Sequence, residues 1–147
     1  MKLPAGIPAF GDLKFRDNKC PKEVAEQVTF FNQLRHLYPD TFGLIAVHNR
    51  NEGKKTPDQV RREKAEGMAT GSPDVMIPGN PAFLCELKRK DHTLSRLQPG
   101  QEPYLLAAIS VGAFGCIAFG WEGAMQAFEY WRDNVNKPGE RHVLRPA

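Results

Sequence analysis

Three residues of one short segment have the types and spacing to do chemistry. In GSPDVMIPGNPAFLCELKRK, residues 71–90, Asp74 opens a brief apolar run, and Glu86 and Lys88 sit inside a second run beyond a Pro-Gly-Asn-Pro turn. If the runs pair as an antiparallel hairpin centred near Gly79-Asn80, positions 74 and 86 stand opposite each other within a residue of register, with Cβ atoms about 4.5–5.5 Å apart. Glu86 and Lys88 are two apart on one strand and share a face, while Phe83, Cys85 and Leu87 take the other face and carry the burial. Two carboxylates and one ammonium then meet on a small patch. Carboxylates that close repel, so either one takes a proton or a cation sits between them. A hard divalent ion such as Mg²⁺ suits the second outcome, because one or two carboxylates plus water and phosphate complete its oxygen shell. Such an ion polarises a phosphoryl group and activates water for phosphoester hydrolysis. Lys88 would orient or deprotonate that water, or offset charge on the phosphate. The plain alternative is a cross-strand ion pair at the surface, which is common and worth little. The pattern of residues leaves both open.

The elements around this hairpin must position it. PKEVAEQVTFFNQLRHLYP (21–39) reads as a helix, with Pro21 suited to its first turn and Pro39 ending it. At about 100° per residue, Val24, Val28, Phe30, Phe31, Leu34, Leu37 and Tyr38 fall on one broad arc. Glu23 and Gln27 fall inside that arc and Glu26 lies at its edge. A carboxylate inside an apolar arc needs a partner, although an acidic residue in a first turn also suits the helix dipole. FGLIAVHN (42–49) reads as a strand, 57–66 as a short helix, 74–78 and 82–88 as the hairpin strands, and 113–120 as a buried strand. Residues 94–112 turn at Pro99-Gly100 and continue as a helix, and 121–133 form a last amphipathic helix. Residues 1–20 look like an irregular N-terminal arm, and 134–147 a polar tail. The order of helix, strand, hairpin, helix, strand and helix implies an α/β domain, a mixed sheet with helices on its faces.

Composition sets the outer limits. The 147 residues suit one domain, and 41% hydrophobic with 25% charged residues is the balance of a soluble globular protein. No apolar run is long enough for a membrane helix, and the Pro- and Gly-broken N-terminus is no secretory signal, so a cytoplasmic setting is expected. Cys20, Cys85 and Cys116 lack metal-type spacing and read as reduced core residues. The net charge of +3 permits a polyanionic partner without demanding one, but the basic clusters at 54–55, 61–64 and 88–92 flank the hairpin.

Pro73-Asp74 followed by Glu86-Leu87-Lys88 resembles the PD-(D/E)xK nuclease motif. More narrowly, the chain resembles the VRR-NUC family of virus-type replication-repair nucleases over roughly residues 21–130. The pieces run in order: Glu23 with Gln27 on the first helix, NEG at 51–53, GSPDVMI, CELKRK, LSRLQPGQ and VGAFGCIAFG. The resemblance implies a restriction-endonuclease-like core of αβββαβ order. It also implies a site in which Asp74, Glu86 and the Leu87 carbonyl hold Mg²⁺, with Mn²⁺ able to substitute. Glu23 would reach the metal directly or through water, Lys88 would be the catalytic lysine, and a Gln before the second helix would complete the set. Glu26 is the alternative to Glu23. Gln101 is favoured for the last role, with Gln98 kept open because it alone preserves the spacing from Leu94-Ser95.

Arg61, Arg62, Lys64, Arg89, Lys90 and Arg96 are the candidate phosphate contacts, which set affinity and register but carry no base sequence information. There is no base-reading module, so recognition of nucleic-acid shape is expected. The resemblance points to DNA, branched or flapped, cut by a homodimer in a bacterial or phage-infected cell, with no small-molecule cofactor; RNA stays open. The aromatic content of 121–131, with Trp121, Phe128, Tyr130 and Trp131, either leaves surface for a two-fold pair or packs on the sheet. Two readings compete with the enzyme: a non-catalytic nucleic-acid-binding domain, and a nuclease subunit targeted by a partner protein. His48 and His92 are weaker candidates for a base or ligand, since a lone His is more often structural.

Overall fold

The computed structural model describes residues 1–49 and 55–139. The NEG segment and the end of the polar tail therefore lie outside the described residues. A five-stranded mixed sheet runs in the order β1-β5-β4-β3-β2. Its strands are β1 (Ala9–Phe10), β2 (Val47–His48), β3 (Val75–Ile77), β4 (Phe83–Lys88) and β5 (Phe114–Phe119). β3 and β4 form the antiparallel hairpin, β2 extends it antiparallel, and β4, β5 and β1 run parallel.

The helices divide between the two faces. α1 (Glu23–Leu37) and α5 (Gly120–Tyr130) cover one face, where Phe30, Phe31 and Leu34 meet Val75, Ile77, Phe83, Cys85, Leu87, Phe128 and Trp131. α4 (Gln101–Ser110) covers part of the other, where Leu105 packs with Leu84, Ile117 and Phe119. Trp131 is wholly buried and satisfies its indole N–H on the Pro81 carbonyl at 2.8 Å. The three cysteines are free and buried. Among the described residues no helix is long and apolar enough to cross a membrane.

Several expectations change. Residues 1–20 are not wholly irregular, because Ala9 and Phe10 pair with Ile117 and Ala118 and close the β5 edge. The segment 42–49 is not one strand. Its first half is a helical turn, α2 (Phe42–Ile45), and only Val47–His48 joins the sheet. Gly43 explains the turn: a Cβ there would lie 2.6 Å from the Arg35 Cα and the Tyr38 carbonyl oxygen, so this backbone docks directly on the end of α1. The apolar arc of α1 is narrower than its spacing implies. Val24, Val28 and Leu37 are exposed, whereas Glu26 is buried. Of the four aromatic residues at 121–131, Phe128 and Trp131 pack into the core, Trp121 is half-buried and Tyr130 stays exposed.

α3 (Pro57–Ala65) lies where a helix is expected, but none of its residues is buried. Local chemistry holds it. Thr56 Oγ1 accepts the Gln59 N–H at 3.2 Å while Gln59 Oε1 accepts the Thr56 N–H at 2.9 Å, with Pro57 in the first turn.

Candidate active site

The hairpin pairs Val75 with Cys85, Met76 with Leu84 and Ile77 with Phe83, the register that carries Asp74 to Glu86. Asp74 Oδ2 accepts the Leu87 N–H at 3.0 Å, which ties the first carboxylate to the strand of the second. Alternation along β4 sends Phe83, Cys85 and Leu87 into the helix-covered core and leaves Glu86 and Lys88 on the Leu84 side. Both charged residues are only 2% exposed.

Gln101 supplies the polar contacts that this burial requires. Its Nε2 donates to Glu86 Oε1 at 2.8 Å, and its Oε1 accepts from Lys88 Nζ at 3.1 Å. Lys88 Nζ also lies 3.4 Å from Glu86 Oε1. The choice between the two glutamines follows from the loop before α4. Gly100 adopts φ +92°, a left-handed conformation that glycine takes freely, so the helix begins at Gln101 rather than Gln98. Gln98 is exposed; its main-chain N–H donates to Gln101 Oε1 at 2.7 Å and steadies the residue that enters the site.

Glu23, the first residue of α1, lines the same cavity of about 390 Å³ as Asp74, Glu86, Lys88 and Gln101. Burial raises its carboxyl above the ordinary range, Lys88 draws it down and Asp74 pushes it up again. Glu26 faces elsewhere: its Oε2 accepts the Trp121 N–H at 2.6 Å at the start of α5. It therefore caps a helix and leaves the cavity to Glu23. Gln27 lies outside as well, lining a separate hollow with Phe31, Arg35 and His48. His48 Nδ1 is hydrogen-bonded to the Asp74 main-chain carbonyl at 2.9 Å, and His92 Nδ1 lies 3.1 Å from the N-terminal ammonium. Neither imidazole lines the cavity.

The electrostatics of Glu86 stand out. Burial, with the Asp74 carboxylate beside it, pushes its carboxyl up to about 9, and Lys88 only partly offsets this. One carboxylate oxygen, Oε2, is buried with no hydrogen-bond partner. A bare buried acceptor between a second carboxylate and a lysine fits a cation that brings its own positive charge. Among the described residues no three His, Cys, Asp or Glu side chains converge as a ready-made cage. Mg²⁺ needs no such cage, since one or two carboxylates suffice when water and phosphate fill the rest. The donor set at Asp74 and Glu86 therefore fits a hard divalent ion.

The basic residues separate into three groups. Lys64 lines the cavity from α3, next to Glu63, which pairs with Lys55. Arg62 and Arg96 are exposed, and Arg61 is exposed but paired with Asp58. Arg89 and Lys90 are engaged within the protein. Arg89 donates to the Pro21 and Cys20 carbonyls, and Lys90 lies over the Phe15 ring and 3.4 Å from Glu122. Sequence reasoning missed Asn49 and Thr70 in the cavity wall, for which the chain offers no local signal. It also passed over Ser95, whose hydroxyl lies 3.5 Å from Glu23 Oε1 and accepts the Arg89 N–H at 3.2 Å. Its place in the LSRLQPGQ stretch was the available signal.

No protein-family model matches the chain, and no curated protein matches it. A solved structure of a VRR_NUC domain protein does, with a TM-score of 0.65 at 17% identity, over 81% of this chain and 98% of that one. The chain has the fold of a VRR-NUC domain. At this identity the likeness speaks for the architecture alone. Within the VRR-NUC fold seen here, Asp74, Glu86 and Lys88 lie at the hairpin, Glu23 at the start of the first long helix and Gln101 at the start of the helix leading to β5.

Proposed function

We propose that the chain is a metal-dependent endonuclease that hydrolyses phosphodiester bonds in DNA, with Mg²⁺ as its ion and Mn²⁺ as a substitute. The observation that carries this reading is the convergence of Asp74, Glu86 and Lys88 on one cavity, with Glu86 Oε2 buried and unpartnered. A bound divalent ion would supply Lewis-acid polarisation of the phosphoryl group and ease ionisation of water. Asp74, Glu86 and the Leu87 carbonyl would hold it, with Glu23 joining directly or through water.

The remaining steps belong to the side chains. Gln101 holds Lys88 Nζ and Glu86 Oε1 in fixed relation, so the ammonium cannot collapse fully onto the carboxylate. Lys88, as an ammonium, orients the attacking water and offsets charge as the phosphorane forms, while the water's proton passes to solvent. Lys64, Arg62 and Arg96 add cations for the flanking phosphates. Recognition of DNA shape, such as a flap or a four-way branch, is part of this reading. Symmetric cutting of a four-way branch calls for a two-fold pair of chains.

The test is a cleavage panel of linear, flapped and four-way DNA with Mg²⁺ and with Mn²⁺. The expected result is nicking that Asp74→Asn and Lys88→Met each reduce by about 10²–10⁴-fold, the usual scale for a lost acid–base group, while DNA binding persists. An intact protein that binds these substrates but cuts none of them would leave the non-catalytic reading in its place. Sedimentation during turnover on the four-way substrate reads the pairing of chains.

A further inference from the structure

The three residues that follow Lys88 all hold one segment. Arg89 Nε donates to the Pro21 carbonyl at 3.2 Å and its Nη2 to the Cys20 carbonyl. Lys90 Nζ lies 4.6 Å from the centroid of the Phe15 ring. Asp91, only 3% exposed, accepts the Asp17 N–H at 2.9 Å on one oxygen and the Thr93 N–H and hydroxyl on the other. Cys20 is buried beneath the segment. Residues 15–21 are thus fastened at several points to the three residues just beyond β4.

That fastened segment carries its charges unevenly. Lys14, Arg16, Lys19 and Lys22 are all exposed. Its acids are engaged with its own backbone: Asp12 Oδ1 accepts the Lys14 N–H and Asp17 Oδ1 accepts the Lys19 N–H, both at 2.9 Å. Arg16 is occupied in part, donating to the Leu13 and Phe15 carbonyls at 2.8 Å. Among the described residues Lys14, Lys19 and Lys22 take part in no ion pair. Lys22 immediately precedes Glu23, and Arg89, which holds the segment, immediately follows Lys88; Glu23 and Lys88 both line the cavity. A row of unpaired cations on a braced backbone suits a polyanion: the charges attract phosphates, and little backbone freedom remains to be lost on binding.

We propose that residues 14–22 form a phosphate track, on which Lys14, Lys19 and Lys22 contact the backbone of the DNA arm that flanks the scissile bond. The proposal rests on the nuclease reading for its substrate, but not for its chemistry. It gives Arg89 and Lys90 a different task from direct phosphate contact, since they brace the track from beneath.

The experiment measures binding of the full chain to a labelled DNA duplex by fluorescence anisotropy, in an Asp74→Asn background so that nothing is cut. Salt is varied from ~50 to ~200 mM, where phosphate contacts are read most clearly. The Lys14→Ala/Lys19→Ala/Lys22→Ala variant should melt at the background temperature, bind roughly 10–100-fold more weakly, and lower the salt slope by about 2–3, near 0.9 for each phosphate no longer neutralised. Lys137→Ala, beside the Asn80 turn at the other end of β4, should change neither quantity. Unchanged affinity and slope in the triple variant would overturn the proposal and turn attention to an acidic protein as the partner. Failure of the background protein to bind any duplex would overturn it too. If the triple variant loses affinity while the unsubstituted chain cuts nothing with either metal, the nuclease reading fails and the track stands.

Discussion

Phe83, Cys85 and Leu87 on one face of β4 are 0%, 0% and 1% exposed; Glu86 and Lys88 on the other are 2% each. Equal burial is reached by opposite means. The apolar side is satisfied by contact alone. Phe83 stacks on Phe114 at 6.0 Å and meets Trp131 at 5.5 Å, and such close packing favours folding. The polar side is satisfied only in part. Gln101 and Lys88 bond one oxygen of Glu86 and leave the other bare. One strand therefore carries a closely packed apolar face and, behind it, a charge left partly unsatisfied. The lesson is that a fold can hold an unstable group in place by packing the reverse side of the same strand.

Substitutions on the two faces should behave differently. The largest expected effect is on the apolar side. Phe83→Ala should cost about 3–5 kcal/mol of stability, the range for emptying an aromatic site in a core, as read by denaturant unfolding. A loss under about 1 kcal/mol would mean that β4 is not the packing centre of the sheet.

On the polar side the sign reverses. Burial raises the Glu86 carboxyl from its ordinary value of 4.5 to about 9 in the folded protein. Between those values the folded state binds more protons than the unfolded state, so the contribution of Glu86 falls as pH rises from 4.5 towards 9. Glu86→Gln removes that penalty. The metal-free variant should match the parent near pH 4.5 and exceed it by a margin that widens steadily as pH rises to 8. Melting curves in a chelator across that window check it; a gap that stays constant with pH would remove Glu86 as its source.

The smallest effect should come from the residue between the faces and the loops. Gln101→Leu keeps the volume but strips the hydrogen bonds from buried Glu86 and Lys88, and should cost only about 1–3 kcal/mol. It should nevertheless slow cleavage, because Lys88 is then free to close on Glu86. Unchanged kcat with Gln101→Leu would reduce the glutamine to a spacer.

Much of this contrast is legible in the amino-acid order. A hairpin with a short turn and strict alternation states its own register, so Asp74, Glu86 and Lys88 can be brought together from spacing alone. Glu23 is legible as a carboxylate on an apolar arc, although the arc itself misleads at Val24 and Val28, which face solvent. Other features have no local signature. Two residues of β1 become a strand only because β5 lies alongside, and nothing in Ala9-Phe10 says so. FGLIAVHN reads as a strand from its apolar residues, yet α2 forms because Gly43 lets its backbone meet α1. Glu26 reads as a spare acid until Trp121 arrives from ninety-five residues away. Non-local pairing decides each of these, and local propensity is overruled.

Gly71 ends the turn before Pro73-Asp74, at φ +79°, and a Cβ there would come within 2.2 Å of the Gly100 carbonyl carbon and oxygen. The loop delivering the first carboxylate thus rests, main chain on main chain, against the loop delivering Gln101. One added methyl group at position 71 would act as a wedge, prising the two loops apart without touching any reactive atom. Proteins are often silenced by removing a functional group; this one should be equally vulnerable to a single surplus carbon at a joint.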